Sequence, residues 1–378
     1  MRAALVGHFS PKSTLIDASS AAGNQVQKQI LICMQDQIEG EVFCYSMTPL
    51  AAWPRGAIAL KSHVEESVEF IGYLNFPILK HLIFSIRLLV RLVIFRPSIC
   101  IQFNSYLFEN FVLLAYKFFT NNCNLAIIIQ DVNCVSTPSV SSIFRFKQLM
   151  EFFSLRLAKR FDLVIPISSQ IIDDFNFQDS KFILFKGGIT EFSRLMIYDQ
   201  SQVQILEDIV LFAGSLEPHN GIDILVEQWV KLGIDKPLHI FGRGSLSECI
   251  DKISKKNKQI VFHGFCSESV ILEWQKKSKW NLCLRYSKGL NEKYFFPSKF
   301  FNIMCTSGIV LVNDFWGIPK ELKPYVTILN DDLSDLPQKL VSSNKSLNNE
   351  GVFNRHQILK TNYSWDSLMS RIIFNFKK

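Results

Sequence analysis

Short apolar runs alternate with longer segments of helical periodicity along most of this chain, and this alternation constrains the fold more than any other feature. The alternation stops at a polar stretch, Thr190–Glu207, and then starts again. Repeated strand–helix units of this kind are typical of parallel sheets covered by helices. The sequence therefore predicts the α/β class, with two Rossmann-like domains that face a central cleft.

The predicted elements divide between the two halves of the chain. The strands are predicted at Ala3–Phe9, Ile99–Phe103, Leu125–Ile129, Leu163–Ile167, Phe182–Phe185, Ile209–Ala213, Leu238–Phe241, Ile260–Phe262, Trp280–Leu284, Ile309–Val312 and Val326–Ile328. The helices are predicted at Asn24–Gln35, Pro77–Phe95, Glu109–Phe119, Ser142–Lys159, Gly221–Leu232, Ser267–Lys276, Ser298–Cys305 and Ser364–Phe376. We predict an N-terminal domain over 1–190, a C-terminal domain over 191–360, and a final helix in 361–378 that packs back toward the first domain.

Composition excludes several classes of protein. With 48% hydrophobic and 20% charged residues, the chain is not disordered, and a net charge of +7 is too small for a dedicated nucleic-acid binder. Nine scattered cysteines without metal-ligand spacing favour reduced thiols. The N-terminal apolar run is too short for a signal peptide, and no run suits a membrane-spanning helix. We therefore expect a cytoplasmic protein.

The basic residues are concentrated in one segment. Between Asn75 and Arg160 there are ten basic and three acidic residues, an excess equal to the net charge of the whole chain. On the predicted helix in segment 77–96, Lys80, Arg87 and Arg91 fall within about 40° of one another. An apolar, basic helix suits an anionic membrane surface, which predicts a peripheral protein on the inner face of the plasma membrane. The alternative is a packed helix whose basic edge faces solvent.

A capped helix start in the second half is a candidate anion site. Ser298 is a suitable N-cap, and Lys299 lies in the first turn, where a cation opposes the helix dipole. A bound diphosphate would gain from both the helix start and the lysine. The alternative is an ordinary capped core helix with an exposed lysine.

Two glycine turns follow strands in the same half. Gly214 comes directly after a predicted strand, and Asn220 with Gly221 opens the next helix. A second strand runs into Gly242, Arg243 and Gly244. Turns of this kind let the backbone approach a ligand closely.

The order of these motifs resembles the donor domain of family 4 glycosyltransferases, which have the GT-B fold of two Rossmann domains. The similar segments are Ala213–Gly221, Leu238–Gly244, Val261–Gly264, Pro297–Val312, Gly317–Leu322 and Tyr363–Ile373, with looser matches at Ala22–Asn24, Phe161–Ser168 and Lys181–Thr190. Pro297–Val312 resembles members that build bacterial surface polysaccharides. The resemblance implies a donor site formed by Gly214, Ser215, Asn220, Gly242, Arg243, Pro297, Ser298, Lys299 and Asn302.

The chain departs from the family at charged positions. The family's phosphate-binding Arg and Lys fall on Ser215 and Asn220, and its two glutamates fall on Tyr294 and Asn302. We therefore expect the cations to come from Lys299, Arg243 or Arg285. No DxD motif stands where a metal-dependent transferase needs it, so we expect no metal and no cofactor besides the nucleotide-sugar donor.

In the first domain, polar residues that follow strands are the candidates for catalysis. Asp131 and His8 are the predicted catalytic residues, and Gly23, Asn24 and Asn104 are predicted to bind the acceptor. Asp131 would act as general base in an inverting transfer, or orient the sugar in a retaining one. Alternatively, Asp131 and His8 are ordinary turn residues.

These observations favour one function and leave two others open. The leading hypothesis is a glycosyltransferase that moves a sugar from a nucleoside-diphosphate sugar to a lipid-linked saccharide in O-antigen, capsule or exopolysaccharide biosynthesis. A sugar-nucleotide epimerase with the same fold is the first alternative. A non-catalytic GT-B-like partner protein is the second, because the family's charged residues are replaced.

Overall fold

The computed structural model describes residues 1–11, 21–130, 132, 134, 142–198, 206–286, 292–297, 299–342 and 349–377. The chain divides into two compact units. Unit 1 comprises residues 1–186, 291–296 and 365–378, and unit 2 comprises residues 187–290 and 297–364. The short segment 291–296 thus belongs with unit 1, although it lies within the predicted C-terminal domain.

Unit 1 contains a mainly parallel sheet. Its strands are β1 (Arg2–Gly7), β2 (Glu41–Ser46), β4 (His63–Glu65), β5 (Val68–Phe70), β7 (Ile99–Phe103), β8 (Asn124–Ile129) and β9 (Leu163–Pro166), and a separate ribbon pairs β3 (Ala59–Leu60) with β6 (Tyr73–Leu74). The sheet order is β4-β5-β2-β1-β7-β8-β9, with only β4 antiparallel to its neighbour. Its parallel strands follow the 3-2-1-4-5-6 order of Rossmann domains.

Helices cover both faces of this sheet. They are α1 (Ala21–Gln37), α2 (Leu79–Phe95), α3 (Leu107–Thr120), α4 (Ser142–Ala158), α5 (Ser169–Asp174) and α13 (Trp365–Lys377). Helices α2, α3 and α4 pack on the face that holds Ala4 and Val6, whereas α1 and α13 pack on the face that holds Ala3 and Leu5. Because successive residues of a strand point to opposite faces, a strand covered on both sides is apolar throughout.

Unit 2 repeats this plan with a fully parallel sheet. Its strands are β10 (Glu207–Ala213), β11 (Leu238–Phe241), β12 (Ile260–Gly264), β13 (Ser278–Cys283), β14 (Ile309–Asn313) and β15 (Val326–Leu329), in the order β12-β11-β10-β13-β14-β15. This is again the 3-2-1-4-5-6 order. The helices are α6 (Glu191–Tyr198), α7 (Ile222–Lys231), α8 (Ser247–Ser254), α9 (Glu268–Lys277), α10 (Lys299–Met304), α11 (Leu336–Ser342) and α12 (Asn349–Asn362). The predicted fold class, α/β with two Rossmann-like units, is confirmed.

Several predicted elements need correction. The predicted strand Phe182–Phe185 is an extended segment with one isolated bridge to β9, although the N–H groups of Ile183 and Phe185 donate to carbonyls of that strand. The predicted polar linker contains α6. The single predicted terminal helix is preceded by α12, which was missed because it is hydrophilic. Strand β2 was also missed, because it begins with exposed residues instead of an apolar run.

Candidate active site

Both units have the same topological switch point. In open parallel sheets with this strand order, ligands bind at the carboxyl ends of the first and fourth strands, where the chain turns away in opposite directions. In unit 1 these strands are β1 and β7, and in unit 2 they are β10 and β13. The side chains at each switch point are described separately below.

In unit 2, two glycine turns pack against each other beyond β10 and β11. The N–H of Gly214 donates to the carbonyl of Phe241 at 3.0 Å. A Cβ atom on Gly242, which has a φ of 142°, would lie 1.8 Å from the carbonyl oxygen of Gly214. The sequence requires glycine at position 242 because the two backbones approach so closely.

The ammonium group of Lys299 lies at the end of β10. Its Nζ is 4.4 Å from the ring centroid of Phe212, and a Cβ on Gly214 would lie 3.3 Å from it. This Nζ is buried and has no hydrogen-bond partner among the described residues. Burial lowers the pKa of Lys299, as does the nearby Arg285. A buried ammonium without a partner is costly, and a bound anion would remove that cost.

Further basic groups surround the same end of the sheet. Arg285 follows β13, and its backbone N–H and carbonyl both bond the side chain of Asn313 at 2.8 Å. Burial lowers the pKa of His219, and the charges of Arg285 and Lys299 lower it further. The pKa of the Cys283 thiol is raised to about 11 by burial, although both cations oppose that shift. The side chains of Lys299, Arg285 and His219 therefore lie close enough at the switch point of unit 2 to affect one another's pKa values or that of Cys283.

The other predicted donor residues take varied positions in unit 2. The buried side chain of Asn220 donates to the carbonyl of Ser215 at 2.9 Å and so closes the turn after β10. Asn302 accepts a hydrogen bond from the Thr190 N–H at 3.0 Å. The guanidinium of Arg243 is exposed and lies 4.7 Å from the ring centroid of Phe265.

The predicted helix start lies only partly within the described residues. Ser298 lies outside the described residues, and the carbonyl of Pro297 accepts a hydrogen bond from the N–H of Phe300 at 2.9 Å. Helix α10 spans only six residues instead of the predicted Ser298–Cys305. The described residues support an anion site through the buried ammonium group of Lys299.

In unit 1, His8 follows β1 and contacts a buried carboxylate. Its Nε2 lies 3.1 Å from Oε1 of Glu109, and Nδ1 of His81 lies 3.8 Å from the same oxygen. The Tyr106 ring stacks on His8 at 3.9 Å between centroids. Burial alone would raise the pKa of Glu109, but His8 and His81 outweigh it and lower that pKa to about 2. Glu109 is therefore ionised at neutral pH.

The first turns of α1 support the loop that carries His8. Gln27 accepts a hydrogen bond from the His8 N–H at 2.7 Å and donates to the carbonyls of His8 and Gly23. Asn24 accepts from the N–H of Ser10 at 3.0 Å. The predicted acceptor residues Gly23 and Asn24 thus lie in the structure that orients His8.

The remaining predicted residues of unit 1 lie near the ends of β7 and β8. Asn104 has a φ of 60°, and its side chain accepts a hydrogen bond from the Gln130 N–H at 2.9 Å. Asp131 lies outside the described residues. Sequence reasoning missed Glu109, His81 and Gln27. The only available signal was the lone carboxylate of Glu109 in an otherwise apolar helix.

The basic side chains of α2, Lys80, Arg87 and Arg91, form hydrogen bonds within unit 1, although Arg87 is still exposed. Lys80 donates to the carbonyl of Leu50 at 2.8 Å, and Arg87 donates to the carbonyl of Gly72. Arg91 pairs with Glu69 at 2.7 Å. No helix among the described residues is long and apolar enough to cross a membrane.

Comparisons with known proteins identify the fold. No protein-family model and no curated protein matches the chain. The structure of Anabaena HepE in complex with UDP is similar over 100% of both chains, at 13% identity and a TM-score of 0.64. Sucrose-phosphate synthase from Thermosynechococcus elongatus matches over 99% of this chain and 98% of its own, at 12% identity and a TM-score of 0.62.

A third similar structure is the apo form of the lipopolysaccharide outer core galactosyltransferase WaaB. It matches over 99% of both chains, at 13% identity and a TM-score of 0.59. At these identities the likeness concerns the fold, and the chain has the GT-B fold of two Rossmann-like domains.

Proposed function

We propose that the protein is a glycosyltransferase that takes its sugar from a nucleoside-diphosphate sugar. The observation that carries the proposal is the buried, unpartnered Nζ of Lys299 at the switch point of a Rossmann unit. An anion with two phosphate groups matches this ammonium together with Arg285. The UDP bound in HepE supports a nucleotide as the ligand of this fold.

In the proposed reaction these cations act on the leaving group. The bond between the anomeric carbon and the terminal phosphate breaks, and the nucleoside diphosphate departs with the electron pair. The ammonium of Lys299 and the guanidinium of Arg285 would stabilise the negative charge that develops on the phosphate. The close packing of the turns at Gly214 and Gly242 holds the backbone beside Lys299 in place.

Titration calorimetry with UDP, GDP and CMP, each added separately, tests this proposal. We expect UDP or GDP to bind more tightly than CMP, which carries a single phosphate. We expect Lys299→Met to weaken the binding of that diphosphate about 10- to 100-fold, since a charge-assisted hydrogen bond is lost. The matched control is Lys236→Met, because Lys236 also lies over an aromatic ring, Trp280 at 4.6 Å, but pairs with Asp208 at the amino end of the sheet.

Three results would decide against the proposal. The first is a wild-type protein that binds none of the three nucleotides, as expected of a non-catalytic partner. The second is a Lys299→Met variant that binds the nucleotide as tightly as the wild type does. A third contrary result is conversion of a nucleotide sugar into another nucleotide sugar without release of the nucleotide, which would indicate an epimerase.

The proposed acceptor is a lipid-linked saccharide of a surface polysaccharide, reached at an anionic membrane. The support is an outer apolar face, formed by the exposed side chains Leu79, Leu82, Ile86, Val90, Val93, Ile94, Phe111, Phe118, Phe119, Phe146, Leu149 and Phe153 of helices α2, α3 and α4. Such an extensive exposed apolar surface marks an interaction site. The cytoplasmic location predicted from the sequence is part of this proposal.

The charges beside this face favour an anionic bilayer as its partner. Arg145, Lys147 and Arg156 of α4 are exposed. The acidic residues of the three helices are Glu109, which is buried, and Glu151, which is half-buried. Each cation near an anionic lipid surface contributes about 1 kcal/mol to binding.

Co-sedimentation with lipid vesicles tests the membrane proposal. We expect binding to phosphatidylglycerol vesicles, weaker binding to phosphatidylcholine vesicles, and a clear loss of binding in the double variant Phe118→Ser, Phe119→Ser. These rings are 75% and 78% exposed, so their replacement removes apolar contact with lipid at little cost to the fold. Phe374→Ser is the control, because Phe374 is exposed on α13 at the other face of the sheet. Equal binding of both variants to the vesicles would contradict the proposal.

A further inference from the structure

We propose that His8 is the general base of the transfer, that Glu109 positions it, and that the reaction inverts the configuration at the anomeric carbon. This inference rests on the proposed function and adds its stereochemical course. It starts from the contact between His8 and Glu109 at the switch point of unit 1.

The contact fixes which ring nitrogen of His8 carries the proton. An ionised carboxylate only accepts hydrogen bonds, so Nε2 of His8 must donate to Oε1 of Glu109. In the neutral ring, Nδ1 then keeps a free lone pair. None of the described residues forms a hydrogen bond with this Nδ1. His8 is therefore in the tautomer that can accept a proton.

The surroundings of Glu109 suit a group that stabilises a positive charge on His8. Only 1% of Glu109 is exposed, and its second oxygen, Oε2, has no hydrogen-bond partner among the described residues. Its charge is thus directed at His8 and, more distantly, at His81. When His8 takes up a proton, the imidazolium gains a buried counter-ion that is already in place.

The ring of His8 is held in one orientation from several sides. Tyr106 stacks on it with only 16° between the ring planes, and Phe84 meets it edge-on. Gln27 bonds both the N–H and the carbonyl of His8. A base held this way needs little rearrangement before reaction.

A second histidine–glutamate pair in unit 1 is more exposed and lies away from the switch point. His63 and Glu65 lie on β4 at the edge of the sheet, 3.5 Å apart, and both side chains are substantially exposed. The His8–Glu109 pair differs in its burial and in its position at the switch point. This contrast makes His63 a matched control.

The proposed step is a single displacement at the anomeric carbon. The acceptor hydroxyl oxygen forms a bond to the anomeric carbon while its proton passes to Nδ1 of His8. The bond from that carbon to the phosphate oxygen breaks, and the nucleoside diphosphate leaves with the electron pair. Attack opposite to the leaving group inverts the configuration, and a single displacement of this kind requires a base on the acceptor.

NMR spectroscopy of the anomeric proton tests the stereochemical course. With an α-linked nucleotide-sugar donor, the inference predicts a β-linked product. We expect His8→Ala to lower kcat by about 10²- to 10⁴-fold. We expect the nucleotide Kd to be unchanged, and added imidazole to restore part of the activity. His63→Ala should leave kcat unchanged.

Two variants of Glu109 separate positioning from folding. Glu109→Gln should lower kcat by about 10²-fold or more with little change in KM, because the amide cannot fix the tautomer of His8. Glu109→Asp keeps the charge and should retain more activity. Unchanged circular dichroism spectra in the far and near ultraviolet would show that both variants are folded.

Retention of configuration, or wild-type kcat in His8→Ala, would overturn the inference and leave the proposed function intact. Equal kcat values for Glu109→Gln and the wild type would show that Glu109 does not position His8. Failure of the proposed function is a different result, in which the wild-type protein binds no nucleotide.

Discussion

The two switch points have the same backbone plan and opposite charges. In unit 1 the buried group is the carboxylate of Glu109, which has His8 and His81 beside it. In unit 2 it is the ammonium of Lys299, which has no hydrogen-bond partner among the described residues. Unit 1 therefore contacts its buried charge with its own side chains, whereas our proposal assigns that contact in unit 2 to an anionic ligand. Our proposals assign proton transfer to one switch point and phosphate binding to the other on the basis of their side chains.

Each unit has a glycine at the end of its first strand, Gly7 in unit 1 and Gly214 in unit 2, and a different side chain lies beside each of them. A Cβ on Gly7 would lie 2.3 Å from Oε1 of Gln27, the side chain that holds His8. A Cβ on Gly214 would lie 3.3 Å from Nζ of Lys299. At both positions the absence of a side chain leaves room for the group on which the site depends.

The largest expected effect on stability comes from Glu109→Gln. Because the pKa of Glu109 falls from 4.5 to about 2 on folding, its charge stabilises the native state at every pH above about 4.5. We expect the substitution to lower the free energy of unfolding at pH 7 by roughly 2–3 kcal/mol. The difference from the wild type should disappear as the pH falls from about 4.5 to 2. Urea titrations at several pH values measure this, and a variant as stable as the wild type at pH 7 would contradict stabilisation of the Glu109 carboxylate by its histidine contacts.

The effect of Lys299→Met on the free energy of unfolding should be opposite in sign to that of Glu109→Gln, and smaller. Replacing an unpartnered buried ammonium by an apolar side chain should raise the free energy of unfolding by about 1–2 kcal/mol in the absence of ligand. Since burial lowers the pKa of Lys299 below 10.5, the wild type should gain stability as the pH rises toward that value, and the advantage of the variant should shrink. Thermal melts with and without nucleotide provide the measurement. Destabilisation by this substitution would mean that unit 2 already satisfies the charge.

The sequence predicted the strands of unit 2 well because a parallel sheet covered on both faces requires continuous apolar runs. It also predicted site roles for His8 and Lys299, which stay predictions, because polar groups that follow strand ends and glycine turns are candidates in this fold. Glu109 and His81 lie on helices, and their places depend on which helix face packs over which strand end. Local spacing does not contain that information.

The hydrogen-bond partners of the basic side chains of α2 could not be predicted from local spacing either. The partners of Lys80, Arg87 and Arg91 all lie in segment 50–72, between α1 and α2. The strands of this segment are short and half-exposed, so their pattern gave no prediction of structure there. The helix pattern alone does not show that these cations form hydrogen bonds to that segment. Several apolar side chains of α2, among them Ile86, Val93 and Ile94, are exposed as well.

The position of a bound nucleotide relative to Lys299 tests the central claim most directly. A crystal structure should be determined with UDP or GDP, whichever binds in the calorimetric titrations. We predict a diphosphate at the carboxyl end of β10, with a phosphate oxygen within about 3.2 Å of Nζ of Lys299. A diphosphate bound elsewhere, with this Nζ still lacking any phosphate contact, would contradict the account.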